Sequence, residues 1–302
     1  MKKVLSIGPV FVVLAALLWS FDGLLRVSLY SLPPIVVVFL EHLIGFIFLV
    51  PIVFNKSYLL KKISIKTWGA FAWVTVLSSI MGTVLYTSAL GLVQFAQFSV
   101  VVLLQQLEPF VVLLFARIIL KEKLSRAYIP WFITALIAAY FISFPNLQVN
   151  LSTGSGTTMA ALFAIGAAFS WGSSTVFSRY ALLRLPTLLT TAVRFGLASI
   201  LAGALVVGLG HNTVLPTLTQ VQWLTLVAIA LSTGMVALSI YYYGLKRTPA
   251  RIATICELAW PLSAVVLDYT YFHKPLSPTQ ILGVLALVLS IYKVSVVRSA
   301  AP

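Results

Sequence analysis

The chain has 302 residues, of which 61% are hydrophobic and 9% charged, and its mean hydropathy is +1.06. A soluble domain carries about 25% charged residues, so this composition excludes one and describes an integral membrane protein. The net charge of +14 does not mark a nucleic-acid binder either, because the lysines and arginines lie mainly in short gaps between apolar runs, where topology signals stand.

Ten apolar segments follow one another along the chain, centred on residues 8–26, 34–54, 68–90, 95–116, 127–144, 158–179, 186–208, 221–244, 250–271 and 279–297. Each is near the ~20 residues that a helix needs to cross a bilayer. The first begins at Val4 and ends at Ser20-Phe21-Asp22-Gly23, where bulky Phe21 argues against a cleavage site, so it is expected to stay as a helix. If the N-terminus lies inside, alternate loops collect Lys2 and Lys3, then Lys56, Lys61, Lys62 and Lys66, then Arg117, Lys121, Lys123 and Arg126. Arg179 and Arg184, then Lys246, Arg247 and Arg251, then Lys293 and Arg298 complete that side, which holds seventeen of the 20 basic residues. Arg26 and Lys274 fall toward the other side, and Arg194 lies within a span. The excess puts both termini in the cytoplasm.

The second half of the sequence repeats the first. Phe11, Ala15, Ala16 and Trp19 match Phe163, Ala167, Ala168 and Trp171, and Pro34 matches Pro186, all 152 residues apart. Trp68, Tyr86 and Leu90 match Trp223, Tyr241 and Leu245 at 155, and the offset returns to 152 at Pro109 and Pro261. Five spans per half is an odd number, so the halves, 1–150 and 151–302, must enter the membrane in opposite directions. The expected fold is all-α and integral to the membrane: ten transmembrane helices as two inverted five-helix repeats, with a site near the midplane between them.

Polar residues at membrane depth are the candidates for function, because they face a partner or a cavity. In the fourth span Gln105, Gln106 and Glu108 precede Pro109, and in the ninth Glu257 precedes Trp260-Pro261. A proline removes a backbone hydrogen bond, and the freed carbonyl needs a partner inside the bundle or at a water-filled cavity. Glu257 matches Gln105, which stands about one turn before Glu108, so both helices offer a polar group on a similar face. Glu41 has His42 beside it and Arg194, the repeat partner of His42, as candidate counter-charges. His42 titrates near neutrality when unperturbed and is a candidate for proton coupling. Asp22, three residues after Trp19, can line the same cavity or pair with Arg26 at (i, i+4) spacing, Glu122 reads as a solvated partner of Lys121 or Lys123, and Asp268 reads as structural near the outer end of its helix. Trp19, Trp171 and Trp260 are candidate cavity walls, with Tyr86 and Tyr242 supplying hydroxyls, whereas Trp68 and Trp223 fit an interfacial belt. The single cysteine, Cys256, excludes an internal disulfide. There is no GxxxxGK[ST] and no histidine pair at metal-binding spacing, so neither an ATPase, a metal nor a cofactor is expected. Nor can a nucleophile, base and orienting group be assigned, so no enzyme is expected.

The Trp19-Ser20 and Trp171-Gly172 pairs, the Tyr86–Leu90 and Tyr241–Leu245 segments, Pro109, Pro261 and Lys121-Glu122-Lys123-Leu124-Ser125 together resemble the EamA family of the drug/metabolite transporter superfamily. The resemblance covers nearly the whole chain. It implies two inverted repeats around a central cavity and secondary transport of small metabolites, often export of amino acids or amines. Two departures stand out: Lys274 occupies the place of the family's glutamate in the second half, and Glu41-His42 stands where a basic residue is more usual. The expectation is therefore a transporter in the cytoplasmic membrane moving a small polar or zwitterionic metabolite, an amino acid or amine first. A multidrug or organic-cation exporter and a carrier of nucleotide-like metabolites are the alternatives. In that scheme Glu108 and Glu257 hold an ammonium or a proton and Arg194 meets a carboxylate.

Overall fold

The computed structural model describes residues 7–92, 99–148, 156–262 and 276–296, and among these all regular structure is helical. Six helices are long and apolar enough to cross a membrane: Pro34–Leu60, Ile65–Ala89, Thr158–Leu182, Thr187–Gly208, Gln220–Arg247 and Pro278–Val296. Two shorter apolar helices, α1 (Ile7–Trp19) and α8 (Tyr128–Ser143), lie among them. The expected first span, 8–26, is not continuous. It turns at Ser20-Phe21 and resumes as the five-residue α2 (Asp22–Arg26). There the Ser20 hydroxyl donates to the Leu17 carbonyl (2.6 Å), a local bond that competes with helix continuation.

Several helix starts are marked in the sequence by a proline or by a side chain that supplies a missing first-turn partner. α3 (Pro34–Leu60) opens on Pro33-Pro34, whose fixed φ suits a first turn. The helix Ile65–Trp73 (α4) is capped by Ser64, and Gln220–Ile229 (α11) by the reciprocal pair Thr219 and Gln222. α4 passes through a π-helical stretch, Val74–Gly82, into α5 (Thr83–Leu92). α11 does the same through Ala230–Gly234 into α12 (Met235–Arg247). At the 155-residue offset the second π stretch falls on residues 75–79 of the first. Such widened turns release backbone groups from the regular ladder and are concentrated at functional sites.

The fourth expected span is two helices, α6 (Ser99–Gln105) and α7 (Glu108–Ile119), separated by a turn at Gln106-Leu107. In the ninth, α13 (Ala250–Glu257) ends in a turn at Leu258 before helical residues 259–262. Both interruptions fall beside the prolines, as expected. The set is completed by α9 (Thr157–Leu182), α10 (Thr187–Gly208) and α14 (Pro278–Val296).

Packing is tight where small residues meet large ones. α3 and α10 lie along one another, with Gly45 against the Phe195 ring, Gly196 against Phe46 and Gly203 against Phe39. A side chain at any of these glycines would meet the facing ring, so the glycines let the two helices seat each other's aromatics. α1 packs on α12 through Gly8 and Gly244, and α9 lies against α4, the first π stretch and α5. α8 pairs with α14, where the Gln280 amide donates to the Ile142 carbonyl (3.1 Å).

Candidate functional site

The two broken helices carry their carboxylates on either side of the break: Glu108 opens α7 and Glu257 closes α13. The Tyr241 hydroxyl donates to Glu257 Oε1 (2.7 Å) and lies 3.1 Å from the Thr175 hydroxyl on α9. Gly172, also on α9, brings that helix against the break in the fourth span. A Cβ at this position would lie 2.8 Å from the Glu108 carbonyl oxygen, so a larger residue would push the helices apart.

The repeat-related tryptophans are crossed with the repeat-related tyrosines. Trp19 packs on Tyr241 with ring centroids 5.0 Å apart and planes at 52°, and Trp171 packs on Tyr86 at 5.2 Å and 54°. Each tryptophan thus meets a tyrosine from the other half of the sequence, with nearly the same geometry. Trp171 is held in place by its indole N–H, which donates to the Ser78 carbonyl (3.2 Å) within the first π stretch.

That stretch also holds Arg194. Its guanidinium donates to the hydroxyls of Ser78 (2.9 Å), Ser79 (3.1 Å) and Tyr242 (2.9 Å), and Tyr242 in turn lies 2.8 Å from the Ser178 hydroxyl. Among the described residues no carboxylate sits at salt-bridge distance from Arg194. The charge is therefore held by neutral hydroxyls, with donors to spare among its five N–H groups. Tyr241 and Tyr242 are adjacent, and Thr175 and Ser178 stand one turn apart on α9. The aromatic pairs, Glu257 and the arginine cage are therefore joined by a chain of largely buried contacts along α9 and through Tyr241 and Tyr242.

The other candidates fall beside it. The second π stretch contributes the Thr233 hydroxyl, which donates to Asp22 Oδ1 (2.6 Å), while the other Asp22 oxygen pairs with Arg26 as expected. Glu41 binds Arg26 Nη2 at 2.8 Å, instead of the expected His42 or Arg194, because the α2 turn swings Arg26 over it. His42 donates from Nδ1 to the carbonyl of Val38 (2.8 Å), one turn back on its own helix, and its ring lies 4.8 Å from that of Phe195. Gln105 donates to the Ala164 carbonyl of α9 (2.9 Å) and Gln106 to Ser143 (3.0 Å). Trp260 is half-buried just past the Leu258 turn. Asp268, His273 and Lys274 lie outside the described residues. Glu122 is not a solvated partner of Lys121 or Lys123: its side chain is only 10% exposed and pairs with Arg179 and Arg251.

Several contributors were not singled out from the sequence. Tyr241 had a signal, since the 155-residue offset maps it onto Tyr86. Ser173, Ser174, Thr175 and Ser178 form a buried small-hydroxyl run in an apolar span, which a search for polar density would have found. Ser78, Ser79 and Thr233 had none, because only the π turns bring them inward.

The profile of the EamA-like transporter family matches the chain twice, over residues 6–144 and 158–296. The riboflavin transporter ImpX of Fusobacterium nucleatum is 37% identical over 299 aligned residues, which cover 95% of this chain and 97% of that protein. A crystal structure of another protein superimposes with a TM-score of 0.71 at 20% identity, over 96% of this chain and 98% of that one, and so shares the fold.

Proposed function

The chain belongs to the EamA-like transporter family, and from that premise we propose that this multi-pass membrane protein is a secondary transporter whose cargo is a flavin, riboflavin first. The observation that carries the reading is the pair of crossed Trp–Tyr contacts, Trp19–Tyr241 and Trp171–Tyr86, linked through Ser78 and Tyr242 to Arg194. Riboflavin is uncharged, with a planar tricyclic ring, two ring carbonyls and a chain of hydroxyls. Indole and phenol rings offer it stacking faces, worth about 1–3 kcal/mol per ring in comparable base–aromatic contacts. The unused Arg194 donors suit the ring carbonyls, while Glu108, Glu257 and the hydroxyl run of α9 suit the polyol. The relative's name points the same way. In this proposal the protein sits in the cytoplasmic membrane with both termini inside. Ten helices in two inverted repeats alternate the access of the site between the two sides, and the carboxylates provide the place for any coupled proton.

An amino acid or amine is the second reading. It is favoured by Glu108 and Glu257, which among the described residues have no basic side chain at salt-bridge distance. Titration of the purified protein into riboflavin, followed by flavin fluorescence, separates the two. Stacking on Trp and Tyr is expected to quench the emission saturably, and Trp171→Ala to weaken binding at least about tenfold, equivalent to ~1.4 kcal/mol. Thermal stabilisation by amines or amino acids, with no flavin quenching, would transfer the assignment to the second reading. A preference for the phosphorylated flavin would point to a nucleotide-like cargo.

A further inference from the structure

Glu122 does more than neutralise local charge. Lys121 ends α7 in the left-handed conformation (φ +54°), and the Glu122 N–H turns back to the Ala116 carbonyl (3.1 Å). This sharp turn sends the carboxylate into the second half of the sequence. Oε1 accepts from the Ala250 N–H (2.8 Å) and Oε2 from the Arg251 N–H (3.2 Å), the first two amides of α13. Arg251 Nη1 (3.3 Å) and Arg179 Nε (3.4 Å) supply positive charge. Arg179 also donates to the Leu245 carbonyl of α12, and the Tyr128 hydroxyl donates to the Arg251 carbonyl (2.5 Å). One carboxylate therefore ties α7 to α9 and α13, and through Arg179 to α12.

The opposite end of the bundle has no such knot among the described residues. Its links between the two halves include Thr233 to Asp22, Gln222 to Ser31 (3.2 Å), Ser28 with Thr225 (3.1 Å), Gln280 to the Ile142 carbonyl (3.1 Å) and the Asn146 N–H to Thr279 (2.9 Å), while the ion pairs of Arg26 stay within the first half. Charge-assisted bonds are roughly twice as strong as neutral ones, and a carboxylate at a helix N-terminus also meets the helix dipole. Among the described residues, the ion pairs that join the two halves are those of Glu122, at the end that carries the basic loops.

We propose that Glu122 is the latch of the basic end: it holds the two halves together there, and cargo passes that end only when the carboxylate leaves Arg179, Arg251 and the α13 amides together. The latch acts whatever the cargo, so its test needs none and can fail independently of the flavin reading. The only cysteine is Cys256, so a Cys256→Ser background takes spin labels at Lys123→Cys and Arg184→Cys for the basic end, and at Leu147→Cys and Asn212→Cys for the other. In the full-length protein, Glu122→Gln is expected to raise the long-distance population of the basic-end pair at least severalfold and to shorten the opposite pair. Arg251→Gln, which keeps the bonds from Glu122 to the α13 amides, is expected to shift both in the same direction by less. Unchanged distances in folded Glu122→Gln protein overturn the proposal, and so does a lower melting temperature without a distance change. If Glu122→Gln does not fold, unchanged distances in Arg251→Gln overturn it instead.

Discussion

Flux through Arg194→Gln protein is expected to fall about a hundredfold in proteoliposomes loaded with riboflavin. The arginine makes three hydrogen bonds, to Ser78, Ser79 and Tyr242, and bonds to a charged group contribute about 1.5–3 kcal/mol each. In the loaded state its remaining N–H groups are those proposed to meet the ring carbonyls, and at ~1.4 kcal/mol per tenfold losing one or two such bonds to the cargo accounts for that factor. Arg194→Lys is expected to recover little, because a lysine ammonium is a compact charge that cannot reproduce a planar fork reaching three hydroxyls on two helices. The loss of flux should exceed any loss of folded protein measured on the same preparation. Flux within twofold of the unmodified protein would remove Arg194 from the transport site.

The second large effect is on stability. A Cβ at Gly244 would stand 2.7 Å from the Gly8 carbonyl oxygen and 2.8 Å from the Val12 nitrogen, both backbone atoms of α1. A flexible side chain could swing aside, but a helix backbone cannot, so α1 must move away from α12. Overpacking a well-fitted contact costs about 1–3 kcal/mol and more where nothing relaxes. Gly244→Ala is therefore expected to melt clearly below the unmodified protein, and Gly244→Leu to yield no monodisperse protein on size exclusion. Because Trp19 and Tyr241 lie on the same helix pair, flavin quenching should weaken in Gly244→Ala as well. Gly208→Ala is the control, since nothing lies within 4 Å of the added methyl. If Gly244→Ala and Gly208→Ala melt alike, the α1–α12 contact does not limit stability.

Much of this was legible in the sequence because a bilayer forces it. In hydrocarbon every backbone polar group must be satisfied within the segment, so a run such as 34–54 is a helix whatever its neighbours. The interruptions in the fourth and ninth spans were equally legible, since Pro109 and Pro261 lack the amide that would continue the ladder. Asp22 with Arg26 followed from spacing along one helix. The errors have a common cause. Glu41 was matched to His42 and Arg194 by sequence neighbourhood and repeat position, whereas the turn at Ser20-Phe21 delivers Arg26 from a different segment. The lysines beside Glu122 suggest a solvated carboxylate, but the left-handed Lys121 turns it inward. A single turn outside the regular helix pattern redirects a side chain by many ångströms, and no hydrophobic period records it.

By itself, then, the sequence determined the solvent, the all-helical class, the proline-marked breaks and the repeat, because each follows from hydropathy, proline chemistry or residue spacing along the chain. The tertiary structure alone decided that Trp19 meets Tyr241 and Trp171 meets Tyr86, that Arg194 rests on hydroxyls, and that Glu122 joins the two halves. Those contacts depend on π turns and glycine-mediated approach between helices far apart in the chain, where a few tenths of an ångström decide which side chains touch.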